Sequence, residues 1–394
     1  MKKEENTITK YNIVEILSIL FLVLSSGGNV FVRNIMYLIF ACFALFVKVR
    51  KLKITNVKIF FVLYIYIFIN SVVINTCPTD YYELVILFLR LCCCTIIASC
   101  ISENNFKHIF TNIIIFLAVL SLVCNIMVYA GIKLPFFQTK EFYGTFYHVI
   151  SPGADMSAIK NRGIFTEHGL FQMYLNLALV FLWGCDDIPL LRKRIYFCIL
   201  TITIITTKSR MGYMIYLLVL LYYFVDGNGI FIEIKQLGEK KKSVLFALLC
   251  GLIVCAEFMI GGAWAYISGS YSYASRRDDN LIMFLIAKDH PLFGVGIATN
   301  TDEIWNTYYN NYSFLRAFEA YQNARSSGLA NYVAGGGIPF IIAYVFNYVK
   351  YLVNMICVEN KMQKMILLII IILIFIEEPY MAAPFFYMGF FRKR

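Results

Sequence analysis

The stretch Ile195-Tyr196-Phe197-Cys198-Ile199-Leu200-Thr201-Ile202-Thr203-Ile204-Ile205-Thr206-Thr207-Lys208-Ser209-Arg210-Met211-Gly212, continuing apolar to Val225, decides how this chain is read. Two apolar runs, Ile195 to Thr207 and Met211 to Val225, meet with two cations between them. A cation beside a bilayer core is costly. The outer side of a membrane, where the topology below places this turn, is where Lys and Arg are least expected. An anionic group at Arg210 would offset that cost, and a lipid-linked phosphate is the natural candidate.

Composition sets the class. Of 394 residues, 60% are hydrophobic and 15% charged, with a mean hydropathy of +0.69. A soluble domain carries roughly 45–50% apolar and about 25% charged residues, and a helical span needs about 20 mostly apolar residues. Runs near 13–27, 34–49, 57–75, 82–101, 109–130, 167–184, 195–208, 211–225, 243–262, 336–358 and 365–391 read as spans. The expected fold is all-α, a polytopic transmembrane helix bundle of eleven or twelve segments forming one integral membrane domain over residues 1–394.

The net charge of +11 does not point to nucleic acid, because of where the cations sit. They cluster between apolar runs at Lys48, Arg50, Lys51 and Lys53, at Arg192 to Arg194, at Lys240 to Lys242 and at Arg392 to Arg394. That is the positive-inside pattern. With the lysine-bearing N-terminus inside, the first three clusters all fall inside, which makes a multi-pass protein of the cytoplasmic membrane the expected setting. Eleven full crossings would put Arg392-Lys393-Arg394 outside; Glu377-Glu378-Pro379 therefore marks the last segment as broken or re-entrant. The first run, Ile13 to Ser26, is read as an uncleaved helix because further spans follow and Glu15 interrupts its start. Most of the twelve cysteines lie in apolar runs, so neither a disulfide framework nor a metal site is expected.

Two external segments are long, 131–166 and 263–335. Connections above about 12–15 residues are uncommon unless functional or disordered. The second carries Trp264, Trp305 and many tyrosines, among them Tyr308 and Tyr332. Such aromatics serve as interfacial anchors or as platforms stacking on the apolar faces of sugar rings. Asn280 to Ala287 reads as a short amphipathic helix at the surface.

Four constellations carry the candidate chemistry. In the first, Lys160-Asn161-Arg162-Gly163-Ile164-Phe165-Thr166-Glu167-His168-Gly169 leads from the first loop into a span. Arg162 offers a planar donor fork suited to phosphate. Partial desolvation at the boundary could retune Glu167 or His168 for proton transfer; equally, Glu167 could serve only the helix dipole. Lys208-Ser209-Arg210 is the second. Arg276-Arg277-Asp278-Asp279, followed by Pro291-Leu292-Phe293-Gly294-Val295-Gly296, forms the third. The last is Arg325-Ser326-Ser327-Gly328 through Tyr332, leading into Gly335-Gly336-Gly337-Ile338-Pro339, whose small residues suit a closely packed loop.

In this order and topological placement, the four elements resemble the O-antigen polymerase and ligase superfamily of bacterial envelope glycan assembly. The resemblance covers roughly residues 160–345. It implies a GT-C-like membrane glycosyltransferase with a large extracytoplasmic loop, free of metal or other cofactor. Its implied substrates are undecaprenyl-pyrophosphate-linked oligosaccharides in the bilayer, with a chain-length regulator as a further partner. Ligases of this superfamily typically carry a His-Asn where this chain has Ser326-Ser327, which favours a Wzy-type repeat-unit polymerase. The implied catalytic set is Arg210, Arg162, Glu167 and His168, with Arg276, Arg277, Arg325 and Lys208 binding substrate. The product class, O-antigen, capsule or another exopolysaccharide, stays open. So do the alternatives: a ligase, a lipid-linked oligosaccharide flippase, or a non-catalytic scaffold.

Overall fold

The computed structural model describes residues 13–24, 52–74, 77–132, 136–138, 143–145, 148–150, 160–165, 167–185, 187–226, 271–299, 302–311, 328–356, 361–377 and 387–391. These residues are mostly helical. In chain order they form α1 (Ile13–Leu24), α2 (Ile54–Phe68, extended by a π-turn at Ile69–Val73), α3 (Tyr81–Cys100) and α4 (Glu103–Tyr129). After four short strands come α5 (His168–Trp183), α6 (Leu190–Thr207), α7 (Arg210–Asp226), α8 (Tyr271–Asp289), α9 (Asp302–Asn311), α10 (Gly328–Ile356) and α11 (Lys361–Glu377). The expected spans 34–49 and 243–262 lie outside the described residues.

Among the described residues, four helices are long and apolar enough to cross a membrane: Ile54–Val73, Tyr81–Cys100, Glu103–Tyr129 and Asn331–Ile356. Apolar residues project outward from them, including Val62, Ile65, Phe116, Ile126, Ile342 and Phe346. Faces of that kind are expensive in water and natural in lipid. Shorter apolar helices, α1 and α5 among them, fill in behind. Helix α5 is the shaft of the assembly, with every residue from Gly169 to Leu182 buried. It is packed by α4, α6 and α7 and touched by α10. A helix apolar on all sides belongs in an interior.

Helix ends are fixed by local chemistry. Asp80 caps α3 by accepting from the Glu83 N–H (3.0 Å), and Ser102 caps α4 by accepting from the Asn105 N–H (3.2 Å). At the far end of α5, the buried Lys107 Nζ donates to the Gly184 carbonyl (2.6 Å). A cation at a helix C-terminus also complements the dipole.

The first long loop departs from the purely helical expectation. It holds an antiparallel meander of β1 (Phe136–Gln138), β2 (Tyr143–Thr145), β3 (His148–Ile150) and β4 (Lys160–Asn161), in that spatial order. His148 pairs with Asn161 and Val149 with Lys160, so the sheet ends on the residues that precede Arg162.

The second long segment is built around α8. Its turn from Leu281 to Ala287 is amphipathic as expected, with Ile282, Met283, Ile286 and Ala287 buried and Phe284 exposed. It belongs to a longer helix than the sequence suggested. The buried side packs on α10 in a small core with Cys77, Val295, Ala334 and Trp305. Trp305 is therefore a core residue, correcting its reading as an anchor or sugar platform; the same holds for the buried Tyr332.

Pro291 to Gly296 forms a strap laid backbone-to-backbone on the start of α10. Val295 N–H donates to Ala334 O (2.8 Å), Gly296 N–H to Gly335 O (2.9 Å) and Ile338 N–H to Pro291 O (2.9 Å). The π-turn of α2 secures the other side, where Asn70 donates to Phe293 O and accepts from Ile297 N–H (2.8 Å). Ser71 accepts from Ala298 N–H (2.9 Å). The glycines at 335–337 thus admit a strap of main chain, where the sequence suggested a loop closing over a cavity.

Helix α10 is two helices that meet at Gly337 (φ 78°, ψ 168°). The Tyr332 ring lies 5.9 Å from that of Tyr344, although twelve residues of straight helix would span about 18 Å. The segment Gly328–Gly336 is therefore folded back along the segment that follows it. Phe375 and Tyr387, twelve residues apart, both pack on Tyr344, at 5.4 Å and 5.6 Å. Helix α11 is described as far as Glu377, and the rest of the stretch where the break was expected, from Glu378 on, lies outside the described residues.

Candidate functional site

The turn that carries Arg162 is held at three points. Phe165 sits between Phe171 and Tyr174 of α5, stacking on the latter at 5.1 Å. Gly163 adopts φ 55° with the Phe171 ring 3.0 Å from where a Cβ would stand, so any side chain there would be strained. Asn161, 1% exposed, is the third hold. Its amide nitrogen donates to Ser121 Oγ of α4 (3.1 Å) and to Thr206 Oγ1 of α6 (2.9 Å). Its carbonyl oxygen accepts from the Gly163 N–H (3.0 Å).

The orientation of that amide is settled by counting protons. Ser121 donates its hydroxyl proton to Ala118 O (2.8 Å), and Thr206 donates its own to Thr203 O (2.7 Å). Each hydroxyl has a single proton, so toward Asn161 both can only accept.

Two residues beyond Thr206 comes the second turn. Lys208 takes a left-handed conformation (φ 51°) to end α6. Ser209 is buried and caps α7, its hydroxyl accepting from the Gly212 N–H (3.2 Å). Arg210 is the first residue of α7. Asn161 thus joins two elements that are some forty-five residues apart in sequence. Through that join the Arg162 turn and the Lys208-Ser209-Arg210 turn share one end of the bundle.

Beneath the second turn α7 presses on α5. A Cβ at Gly212 would stand 2.7 Å from Gln172 Oε1. Asn176 donates to Gln172 Oε1 (2.8 Å) and to Gly212 O (3.2 Å). Gln172 and Asn176 are fully buried in the shaft.

Electrostatically, this end of the bundle is cationic. Arg162 is 6% exposed, and burial pushes its guanidinium down to about 10, which leaves it charged at neutral pH. Lys208 is half-buried at the α6 terminus. The N-terminus of α7, capped by Ser209, adds the positive end of a helix dipole. Such a combination of buried fork and helix start suits an anion. At the opening of α5, Glu167 occupies the N-cap position, exposed and without a side-chain cap bond, and His168 follows, half-buried. Both lie within a few residues of the Arg162 turn.

The remaining candidates are placed less fully. The backbones of Arg276 and Arg277 lie in α8 and that of Arg210 in α7; the side chains of all three are outside the described part of the structure. Arg325 also lies outside the described residues. The hydrogen bonds of the strap that follows α8 run to α2 and α10.

Sequence reading missed two groups. Asn161 was only a neighbour of Arg162, and its role as a clamp has no sequence signature. Arg90 was visible: a cation in the run Leu87-Phe88-Leu89-Arg90-Leu91-Cys92 marks a membrane helix for attention. Its guanidinium pairs with Glu83 on the same helix at 2.6 Å.

No protein-family profile matches the chain, and no curated protein and no solved structure is similar to it.

Proposed function

We propose that this chain is a multi-pass glycosyltransferase of the cytoplasmic membrane that joins lipid-diphosphate-linked oligosaccharide repeat units at the outer face. The observation that carries the proposal is the Asn161 clamp, which unites a buried Arg162 with the cationic start of α7. The resemblance in motif order supplies the reaction class, and the aromatic and apolar surfaces suit a polyprenyl substrate in the bilayer.

In this reading the hydroxyl oxygen of one lipid-linked repeat attacks the anomeric carbon of the glycan on another. The bond from that carbon to the diphosphate oxygen breaks, and its electron pair leaves with the diphosphate. Charge grows on the departing oxygen, so fixed cations are the main demand on the site. Arg210 and Arg162 meet it, with Lys208 and one of Arg276, Arg277 or Arg325 on the rest of the diphosphate. The acceptor proton passes to Glu167 or His168; positioned bases of this kind contribute about 10²–10⁴-fold. Elongation of the glycan assigns the protein to surface polysaccharide synthesis, as O-antigen, capsule or a related polymer.

Purified protein in proteoliposomes, given undecaprenyl-diphosphate-linked repeat units, should yield a ladder of products. A single transfer to an unlike acceptor would mean ligase; movement of the substrate across the bilayer without new bonds would mean flippase. Arg210→Lys keeps the charge and loses the fork, and should cut polymer formation at least tenfold. A normal ladder from that variant at equal abundance refutes the assignment of Arg210.

A further inference from the structure

We infer that the first turn of α6 binds the phosphate of an anionic phospholipid, held by Lys193 and by the uncapped backbone of that turn. Helix α6 opens at Pro189, an N-cap residue that offers no side-chain acceptor. Its first ladder bond runs from Lys193 N–H to Pro189 O (3.0 Å), so the N–H groups of Leu190, Leu191 and Arg192 lie ahead of the ladder. Three successive cations, Arg192, Lys193 and Arg194, stand in the same turn. The positive end of a helix dipole disfavours cations and favours an anion.

The second observation is Lys193 itself. Arg192 is exposed and Arg194 half-buried, as the positive-inside pattern expects of cations that stay in water. Lys193 is 9% exposed and belongs to the packed stripe of α6, with Leu200, Thr203, Ile204 and Thr207. The principal neighbours of α6 are α5 and α4. A long helical side chain leans toward the N-terminus of its own helix, which carries this ammonium to the open turn. Among the described residues no acceptor meets it. The neighbouring polar groups are engaged elsewhere: Lys107 Nζ donates to Gly184 O (2.6 Å), and Asp187 Oδ1 lies 2.5 Å from His108 Nε2. An ammonium on a packed face without a counter-charge is costly. A phosphate at the turn offsets that cost and takes up the free N–H groups together.

The surroundings suit a lipid rather than a free anion. Leu191 and Ile195, on either side of the cations, are exposed and apolar. The ring of Tyr223 lies 4.8 Å from that of Trp183 and 5.7 Å from that of Phe197 at this end of the bundle, and aromatics of this kind gather at the headgroup level of a bilayer. A ligand with an anionic head and acyl tails satisfies the cations and the apolar flanks at once, and basic pockets between spans on the cytoplasmic side of a membrane bind such heads. The inference rests on the membrane setting of the proposed function and uses none of its glycosyl-transfer chemistry.

The test is lipid selection by the full-length protein, purified in detergent, mixed with phosphatidylglycerol and phosphatidylcholine of the same acyl chains and read by native mass spectrometry. The parent should retain phosphatidylglycerol at least tenfold over phosphatidylcholine. Lys193→Met should lower that ratio at least fivefold, and Lys193→Arg should restore most of it. Lys361→Met removes the same charge from an exposed position at the start of α11 and should change the ratio less than twofold. Pro189→Asp supplies the missing cap, so it should raise the unfolding midpoint while lowering the ratio at least fivefold; this keeps the inference open to refutation even where Lys193→Met fails to fold. Asp186→Asn should leave the ratio unchanged or raise it. Equal effects of Lys193→Met and Lys361→Met, an unchanged ratio in Pro189→Asp, or a ratio lowered by Asp186→Asn would overturn the site. Displacement of the lipid by millimolar inorganic phosphate would do the same, making a free anion the ligand. Failure of the parent to form polymer would sink the polymerase reading and leave the lipid result intact.

Discussion

Replacing Asn161 separates the clamp from every other feature of the site. Asn161→Ala removes three hydrogen bonds, to Ser121, to Thr206 and from Gly163. At a net value of about 1 kcal/mol each, the loss is about 3 kcal/mol, and the stranded Gly163 N–H adds to it. Asn161→Asp is nearly the same shape but makes a sharper point. Because Ser121 and Thr206 spend their protons on Ala118 and Thr203, a carboxylate would face two lone pairs where two donors stood. Its folded-state pKa should therefore rise above the unfolded value. The sign follows: a raised folded pKa means stability is recovered as pH falls and lost as pH rises through that pKa. Reversible unfolding by SDS titration should show Asn161→Ala destabilised to a similar extent at pH 5 and pH 8. Asn161→Asp should be at least as unstable at pH 8 and partly recovered at pH 5. Equal stability of wild type and Asn161→Ala, or an Asn161→Asp variant that ignores pH, would refute the clamp.

Other substitutions probe the packing around it. Gly337→Ala should be among the most damaging in the chain, by about 3 kcal/mol or more, because a Cβ would stand 2.4 Å from Leu292 O at a positive φ; unfolding midpoints of the purified variant check this. Gly212→Ala forces a methyl to 2.7 Å from Gln172 Oε1 and should cost about 1–3 kcal/mol by overpacking, with the same measurement deciding. Trp305→Ala should destabilise by about 3–5 kcal/mol, the penalty for emptying a core position, with no selective loss of substrate affinity. A raised KM at unchanged stability would return Trp305 to the role of a sugar platform.

The apolar helices were legible because their signal is additive: each of about twenty residues in a run such as Tyr81 to Cys100 votes the same way. The expected break in the C-terminal segment rests on the opposite kind of signal, three contrary residues concentrated at Glu377-Glu378-Pro379, and falls largely outside the described residues. The meander was not. Its strands are two or three residues long, too short for any alternation to register. Gly335-Gly336-Gly337 announced a close approach but not its partner, because the partner, Pro291 to Gly296, is set by a pairing forty residues away. The candidate cations were easy to see as charges. What holds them, an asparagine amide between two threonine- and serine-bearing helices, depends on the direction of single protons, which no pattern of residue types records.

Lys208 has a consequence for anyone who engineers this chain. It is the one non-glycine residue with a positive φ among those described, in a region where L-residues are strained and glycine is at ease. Lys208→Gly should relieve that strain and give a hardier protein, by up to about 1 kcal/mol. A search for thermostable variants judged on melting alone would converge on that exchange and discard a cation in doing so. Under the proposed function, durability and anion capture are set against each other at this single position, so the two must be selected together.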